Sequence, residues 1–371
     1  MKRTFFRVAV ALSLSAISLT AAAAHPATGV VFDGHRRTVY FSDLETVWKV
    51  DAAGRLSIFR AAPGGRHTHE LGIDQGGNVY GGDISYTGGR WFSAFWRMTP
   101  AGELTYLLPP TEGFAPGWGV HRDSAGNVYS VEQDNNRRRE TLLLRRTPEG
   151  RTERVAGGAY GHADGRRAAA RLASVGGIAV LEDGTVFLTD GPHLRRVTAD
   201  GTVTTIARNL PASDPQTRLV AGRAGGSLFG LAADGSGSVY VADFDNRRVL
   251  RVGPDGKVVT VLRADKPWSP TGVALGNDGA IYVLEVSPAP ADGVNGSRVR
   301  RVTPDGGARI VAPAATRGQA ASGRAATHSQ PLPQLEQLAS SDRGARLYLA
   351  LALISIGLVS LAVHLARRGK S

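Results

Sequence analysis

The sequence predicts an all-β protein, a six-bladed β-propeller with four antiparallel strands per blade. Three observations predict it. One short pattern recurs six times, an aromatic residue, an acid three positions later, a base, and a glycine five positions after the base. The repeat spans roughly 50 residues, the size of one propeller blade. Each copy also carries glycine- and proline-bearing turns between short β-rich runs.

The aromatics are Tyr40, Tyr80, Tyr129, Phe187, Tyr240 and Tyr282. The acids are Asp43, Asp83, Glu132, Asp190, Asp243 and Glu285, and the bases are Lys49, Arg97, Arg145, Arg196, Arg251 and Arg301. The glycines are Gly54, Gly102, Gly150, Gly201, Gly256 and Gly306. Within each copy a first strand follows a glycine, as at Gly29, Gly119, Gly177, Gly230 and Gly272. The second strand carries the aromatic and the third carries the base. A hairpin such as Thr303-Pro304-Asp305-Gly306 leads to a short fourth strand. Proline fixes φ in such a turn and glycine accepts positive φ. Each acid and base lie about symmetrically around the loop between them. The expectation is six structural pairs, Asp43 with Lys49, Asp83 with Arg97, Glu132 with Arg145, Asp190 with Arg196, Asp243 with Arg251 and Glu285 with Arg301.

The propeller is expected over residues 25–312. Residues 1–24 read as a cleaved secretory signal: Lys2, Arg3 and Arg7, then an apolar run, then Ala21 to Ala24. Residues 313–346 are rich in Ala, Gly, Ser, Arg and Gln and read as a flexible linker. Residues 347–366 are apolar almost throughout, long enough for a transmembrane helix. The basic tail 367–371 then favours the cytoplasmic side. The expected placement is an extracytoplasmic propeller, periplasmic in a Gram-negative cell, anchored in the membrane by its C-terminal helix.

The chain has 371 residues, no cysteine and a formal net charge of +12. Absence of cysteine excludes disulfides, zinc–thiolate sites and a thiol nucleophile. The positive charge is mostly arginine spread through the repeat, with no nucleic-acid motif, so no nucleic-acid partner is expected.

The segment Ala242-Asp243-Phe244-Asp245-Asn246-Arg247-Arg248-Val249-Leu250 resembles the signature of NHL repeats. The run from Ala156 through His162 and Gly165 to Gly177 resembles the long lead-in to a blade of that family. The resemblance implies a propeller akin to the gluconolactonase and lactonase-like superfamily. It implies no single activity, because that architecture hosts many.

Lactonase-like propellers hold a divalent metal with Glu, Asn and Asp near the starts of the inner strands. The matching column here reads Thr28, His69, Trp118, Gly176, Phe229 and Thr271, with Glu70 standing where other blades have glycine. That set is not oxygen-rich, so no metal and no cofactor are expected. His67, His69 and Glu70, with His121 on the next inner strand, are the one concentration of chemically able side chains.

The long connections lie on one face, with Trp91, Trp118, Phe229 and Trp268 at or near them. Loops on a rigid scaffold commonly carry recognition. The leading expectation is a binding or sensing module for an unidentified small molecule or protein, with His67, His69, Glu70, Trp91, Trp118, His121, Phe229, Trp268 and Thr271 as candidate ligand-binding residues and no catalytic residue assigned. The alternative is a propeller hydrolase or lyase centred on His67, His69 and Glu70.

Overall fold

The computed structural model describes residues 26–62, 64–113, 120–133, 139–210, 228–287 and 296–312. The expected signal peptide, linker, transmembrane helix and basic tail lie outside the described residues, as does Trp118. Among the described residues no helix is long and apolar enough to cross a membrane.

Six antiparallel sheets follow one another along the chain. Blade 1 comprises Val30–Asp33, Thr38–Ser42, Thr46–Val50 and Leu56–Ala61. Blade 2 comprises His67–Ile73, Val79–Thr87, Arg90–Met98 and Leu104–Glu112. Blade 3 comprises His121–Arg122, Val128–Gln133, Glu140–Arg146 and Thr152–Ala159. Blade 4 comprises Val175–Val180, Val186–Asp190, His193–Val197 and Thr202–Ala207, with the short strand Gly165–Arg166 added outside. Blade 5 comprises Leu228–Ala233, Val239–Asp243, Arg248–Val252 and Val258–Arg263. Blade 6 comprises Ser269–Leu275, Ile281–Val286, Ser297–Val302 and Ala308–Ala312. Each blade uses four consecutive strands, so the disc closes by packing rather than by exchanging a strand.

Glycine sets how closely the inner strands approach one another. A Cβ on Gly272 of blade 6 would lie 2.1 Å from the Thr28 carbonyl oxygen of blade 1. A Cβ on Gly177 would lie 2.6 Å from the Phe229 oxygen, and one on Gly230 would lie 2.9 Å from the Thr271 oxygen. In blade 2, Gly72 takes this role two residues later, where a Cβ would meet the Val120 oxygen at 2.0 Å. At the seam, Phe32 of blade 1 stacks on Tyr282 of blade 6, centroids 4.6 Å apart.

The register corrects the expected acid–base pairs. Each base lies directly opposite the aromatic of its own blade, as Tyr40 with Lys49, Phe187 with Arg196 and Tyr282 with Arg301. Tyr80 with Arg97, Tyr129 with Arg145 and Tyr240 with Arg251 complete the column. The acid is three residues after the aromatic, an odd step, so it points from the other face of the sheet. The loop centre inferred from sequence symmetry was one to two residues too late. None of the pairs Asp43–Lys49, Asp83–Arg97, Glu132–Arg145, Asp190–Arg196, Asp243–Arg251 and Glu285–Arg301 is an ion pair here.

The acids instead project from the opposite face of the sheet, and four of them are buried hubs. Asp83 accepts from both Arg60 terminal nitrogens (3.1 and 2.6 Å), from the Thr68 hydroxyl (2.8 Å) and from the Trp96 indole (2.8 Å). Asp190 accepts from the backbone of Ala173 and Ser174 and from Arg195 at 2.8 Å. Asp243 takes Arg248, and Glu285 takes Arg298, each the residue directly across the hairpin. Asp43 caps its own turn and accepts from the Trp48 indole.

The packing sets the cost of three substitutions. Gly272→Ala lowers unfolding free energy in urea by about 1–3 kcal/mol or more, because a backbone carbonyl occupies the methyl's place. Gly64→Ala, where nothing lies within 4 Å, stays within about 0.5 kcal/mol of wild type. Asp83→Ala costs about 3–5 kcal/mol, since it strands the buried Arg60 guanidinium; a change under about 1 kcal/mol contradicts the hub.

Candidate active site

The inner strand of blade 2 skips a pairing step between Thr68 and Leu71. Such a bulge re-aims side chains, and here it falls at His69 and Glu70. Glu70 occupies the inner-strand position that is glycine in blades 1, 4, 5 and 6. With no close-approach duty left there, the position can carry a carboxylate into the central channel.

His121 lies on the adjacent inner strand, paired with Tyr129. Its Nε2 is 3.3 Å from Glu70 Oε2. The His121 side chain is 19% exposed and that of Glu70 35%, so both are shielded but reachable. They line a channel cavity of about 50 Å³ together with Thr28, Gly176, Gly230 and Val273, residues drawn from the other blades. Burial pushes the Glu70 carboxyl up, but the His121 hydrogen bond and the charges of His121 and His69 outweigh it and hold it below the usual carboxylate range. Glu70 is therefore an anion at neutral pH.

His69 also ties blade 1 to blade 2, because its carbonyl accepts from the Thr28 and Gly29 amides, both at 2.9 Å. His67 meets the His69 ring edge-on at 6.1 Å and is not among the residues lining the channel cavity. Thr271 is buried and its hydroxyl donates to the Leu284 carbonyl at 3.4 Å, within its own sheet. Phe229 packs against Phe244, and Trp268 lies under the Arg298 guanidinium at 4.1 Å. Trp91 stands at the blade 2 hairpin tip, 42% exposed, against Tyr86. The structure thus brings together Glu70, His121 and His69, while Trp91, Phe229 and Trp268 are not among the residues lining the cavity.

One cluster had no sequence signal. His162 Nδ1 is 3.0 Å from the buried Asp190 carboxylate, and its ring meets His193 edge-on at 4.7 Å. Burial and the His162 charge hold His193 below the ordinary histidine range.

The described residues contain no group of three or more His, Asp or Glu side chains placed to hold a metal ion. Among the described residues the channel supplies one carboxylate and one imidazole in contact, too few for an oxygen-rich divalent site. The donor set of the lactonase-like propellers does not fit here.

No family model matches the chain. A 6-deoxy-6-sulfogluconolactonase of Pseudomonas putida is 38% identical over 68 residues, which is 18% of this chain and 23% of that protein. The chain thus matches less than a quarter of that relative. Among solved structures, a calcium-binding protein, regucalcin, from Agrobacterium tumefaciens has a TM-score of 0.47 at 16% identity, covering 72% of this chain and 84% of that one. Virginiamycin B lyase from Staphylococcus aureus has a TM-score of 0.45 at 13% identity, covering 76% and 83%. A gluconolactonase from Xanthomonas campestris has a TM-score of 0.43 at 14% identity, covering 70% and 83%. The expectation of a binding or sensing module is corrected here. The matched stretch of the sequence relative belongs to a protein named as a lactonase, which sides with the hydrolase or lyase alternative rather than with a sensing module.

The Glu70 environment is directly testable. His121→Ala removes the hydrogen bond and charge that lower the carboxyl, leaving burial to raise it. The side-chain carboxyl titration of Glu70, followed by carbon NMR, shifts to higher pH in the variant; an unchanged midpoint contradicts the contact.

Proposed function

We propose that this protein is a hydrolase that opens a cyclic ester of the sugar-acid lactone class in the mouth of its propeller channel. The observation that carries this reading is the Glu70–His121 contact inside the channel cavity. The substrate class is suggested by the named activity of the sequence relative.

The pair has the parts that water activation requires. The Glu70 anion accepts from His121 Nε2–H, which leaves Nδ1 as the basic nitrogen and stabilises the imidazolium once it forms. A cavity of about 50 Å³ has room for one or a few waters, not for a sugar ring. The substrate then sits above it, among the long connections, with its carbonyl turned to the channel. His121 takes a proton from water as the new C–O bond forms at the carbonyl carbon. The ring C–O bond breaks, and the leaving alkoxide takes that proton back, giving the open hydroxy acid. No step passes through a metal.

The proposal extends to cellular placement. The apolar run 347–366, followed by Arg367, Arg368 and Lys370, supports a membrane anchor, and the segment 1–24 supports export. The propeller then works outside the cytoplasm on a tether of residues 313–346.

A panel of aldonolactones assayed with purified protein tests the activity. Glu70→Gln and His121→Gln each lower kcat/KM by roughly 10²–10⁴-fold with an unchanged melting temperature. Absence of lactone hydrolysis by wild type, or full activity in Glu70→Gln, overturns the reading.

A further inference from the structure

We propose a second binding site, for a small organic carboxylate with an apolar body, between blades 4 and 5 on the face opposite the Glu70–His121 cavity. It stands independently of the hydrolase reading.

A cavity of about 170 Å³ opens there, more than three times the volume of the channel cavity. Its walls come from the turns joining the first and second strands of both blades and from Pro254 in the blade 5 hairpin. Those turns lie at the far ends of the inner strands from Glu70. An engineered cavity of about 150 Å³ takes up benzene, so this space suits one six-membered ring or its aliphatic equivalent. Leu181, Phe187, Ile206 and Pro254 supply the apolar wall.

Blade 4 shapes the site, for it alone has phenylalanine where the other five blades have the repeat's tyrosine. In blades 2 and 3 the repeat's aromatic is tyrosine, and its hydroxyl donates to the turn aspartate, Tyr80 to Asp74 at 2.9 Å and Tyr129 to Asp123 at 3.0 Å. In blades 3 and 6 the repeat's base is held by a carboxylate, Arg145 by Glu153 and Arg301 by Asp278. Blade 4 has Phe187 instead, with no hydroxyl to offer. Its base, Arg196, has no hydrogen bond or ion pair among the described residues and lines the cavity. The adjacent Arg195 cannot substitute, because it faces the other way, fully buried between Asp190 and Asp164.

One carboxylate also lines the cavity. Asp183 is exposed, and its oxygens accept from the Thr185 amide at 2.8 Å and the Thr185 hydroxyl at 3.1 Å. Its oxygens are engaged in its own turn, and it forms no ion pair with Arg196. A planar guanidinium left over beside an apolar wall matches a carboxylate, which it can hold in two parallel hydrogen bonds. A neutral ligand of the same shape leaves that capacity unused.

Benzoate titrated into the full chain, followed by calorimetry, tests the site, with benzamide as the neutral isostere. Wild type binds benzoate saturably and benzamide about tenfold or more weakly. Arg196→Gln, a change at an exposed side chain, lowers benzoate affinity about tenfold or more with the melting temperature unchanged. Glu70→Gln binds benzoate as wild type does, which separates this site from the channel. No saturable benzoate binding, equal affinity in Arg196→Gln, or equal affinity for benzamide each overturns the proposal.

Discussion

The closed ring depends on backbone meeting backbone. Side-chain packing between blades does not by itself fix how tightly six wedges converge. Around the axis, the inner strands approach so closely that a single methyl group at Gly177, Gly230 or Gly272 would collide with the carbonyl of the next blade. That contact sets the diameter of the channel. The narrow channel in turn puts residues from different blades within hydrogen-bond reach, although they are far apart in the chain.

The two faces of each blade then do different work. The aromatic and the base share the face toward the following blade, and the acid projects from the opposite face. Tyr40 and Val79 join one inter-blade core, and Phe187 and Val241 another. Four of the acids, Asp83, Asp190, Asp243 and Glu285, are buried, where a lack of partners would be costly. Asp83 and Asp190 meet that demand with three or four donors each. A buried ion pair is weak evidence of net stability. What these hubs show is satisfied burial, each carboxylate meeting donors from its own blade or from the chain beside it.

Much of this was legible in the sequence, and the reasons are physical. Blade count, strand order and hairpin turns came from a repeat whose glycines adopt φ between +79° and +94°, a conformation that shows in composition. Glu70 stood out because counting back from Tyr80 put it in a glycine column. The acid–base pairing was read wrongly because one residue of register reverses which face a side chain occupies, and symmetry about a loop does not fix register. The contact of His162 with Asp190 spans 28 positions and joins a blade-to-blade connection to a strand end. No local pattern encodes such a meeting. The Glu70–His121 contact was suspected only because both residues fall on neighbouring inner strands.

The position of Glu70 argues for chemistry rather than architecture. A structural requirement at that site would be met by glycine, as in blades 1, 4, 5 and 6. Blade 2 instead moves its close-approach glycine two residues on, to Gly72, where a Cβ would lie 2.0 Å from the Val120 carbonyl. Two residues along a strand return to the same face, so the ring still closes and Glu70 is released from that duty. A carboxylate placed there then faces a burial penalty that no other blade bears. The penalty is offset by His121, which is itself the only histidine among the residues lining the cavity. Glu70 thus stays an anion against its burial because one imidazole holds it, and that contact sets the imidazole's orientation toward the channel.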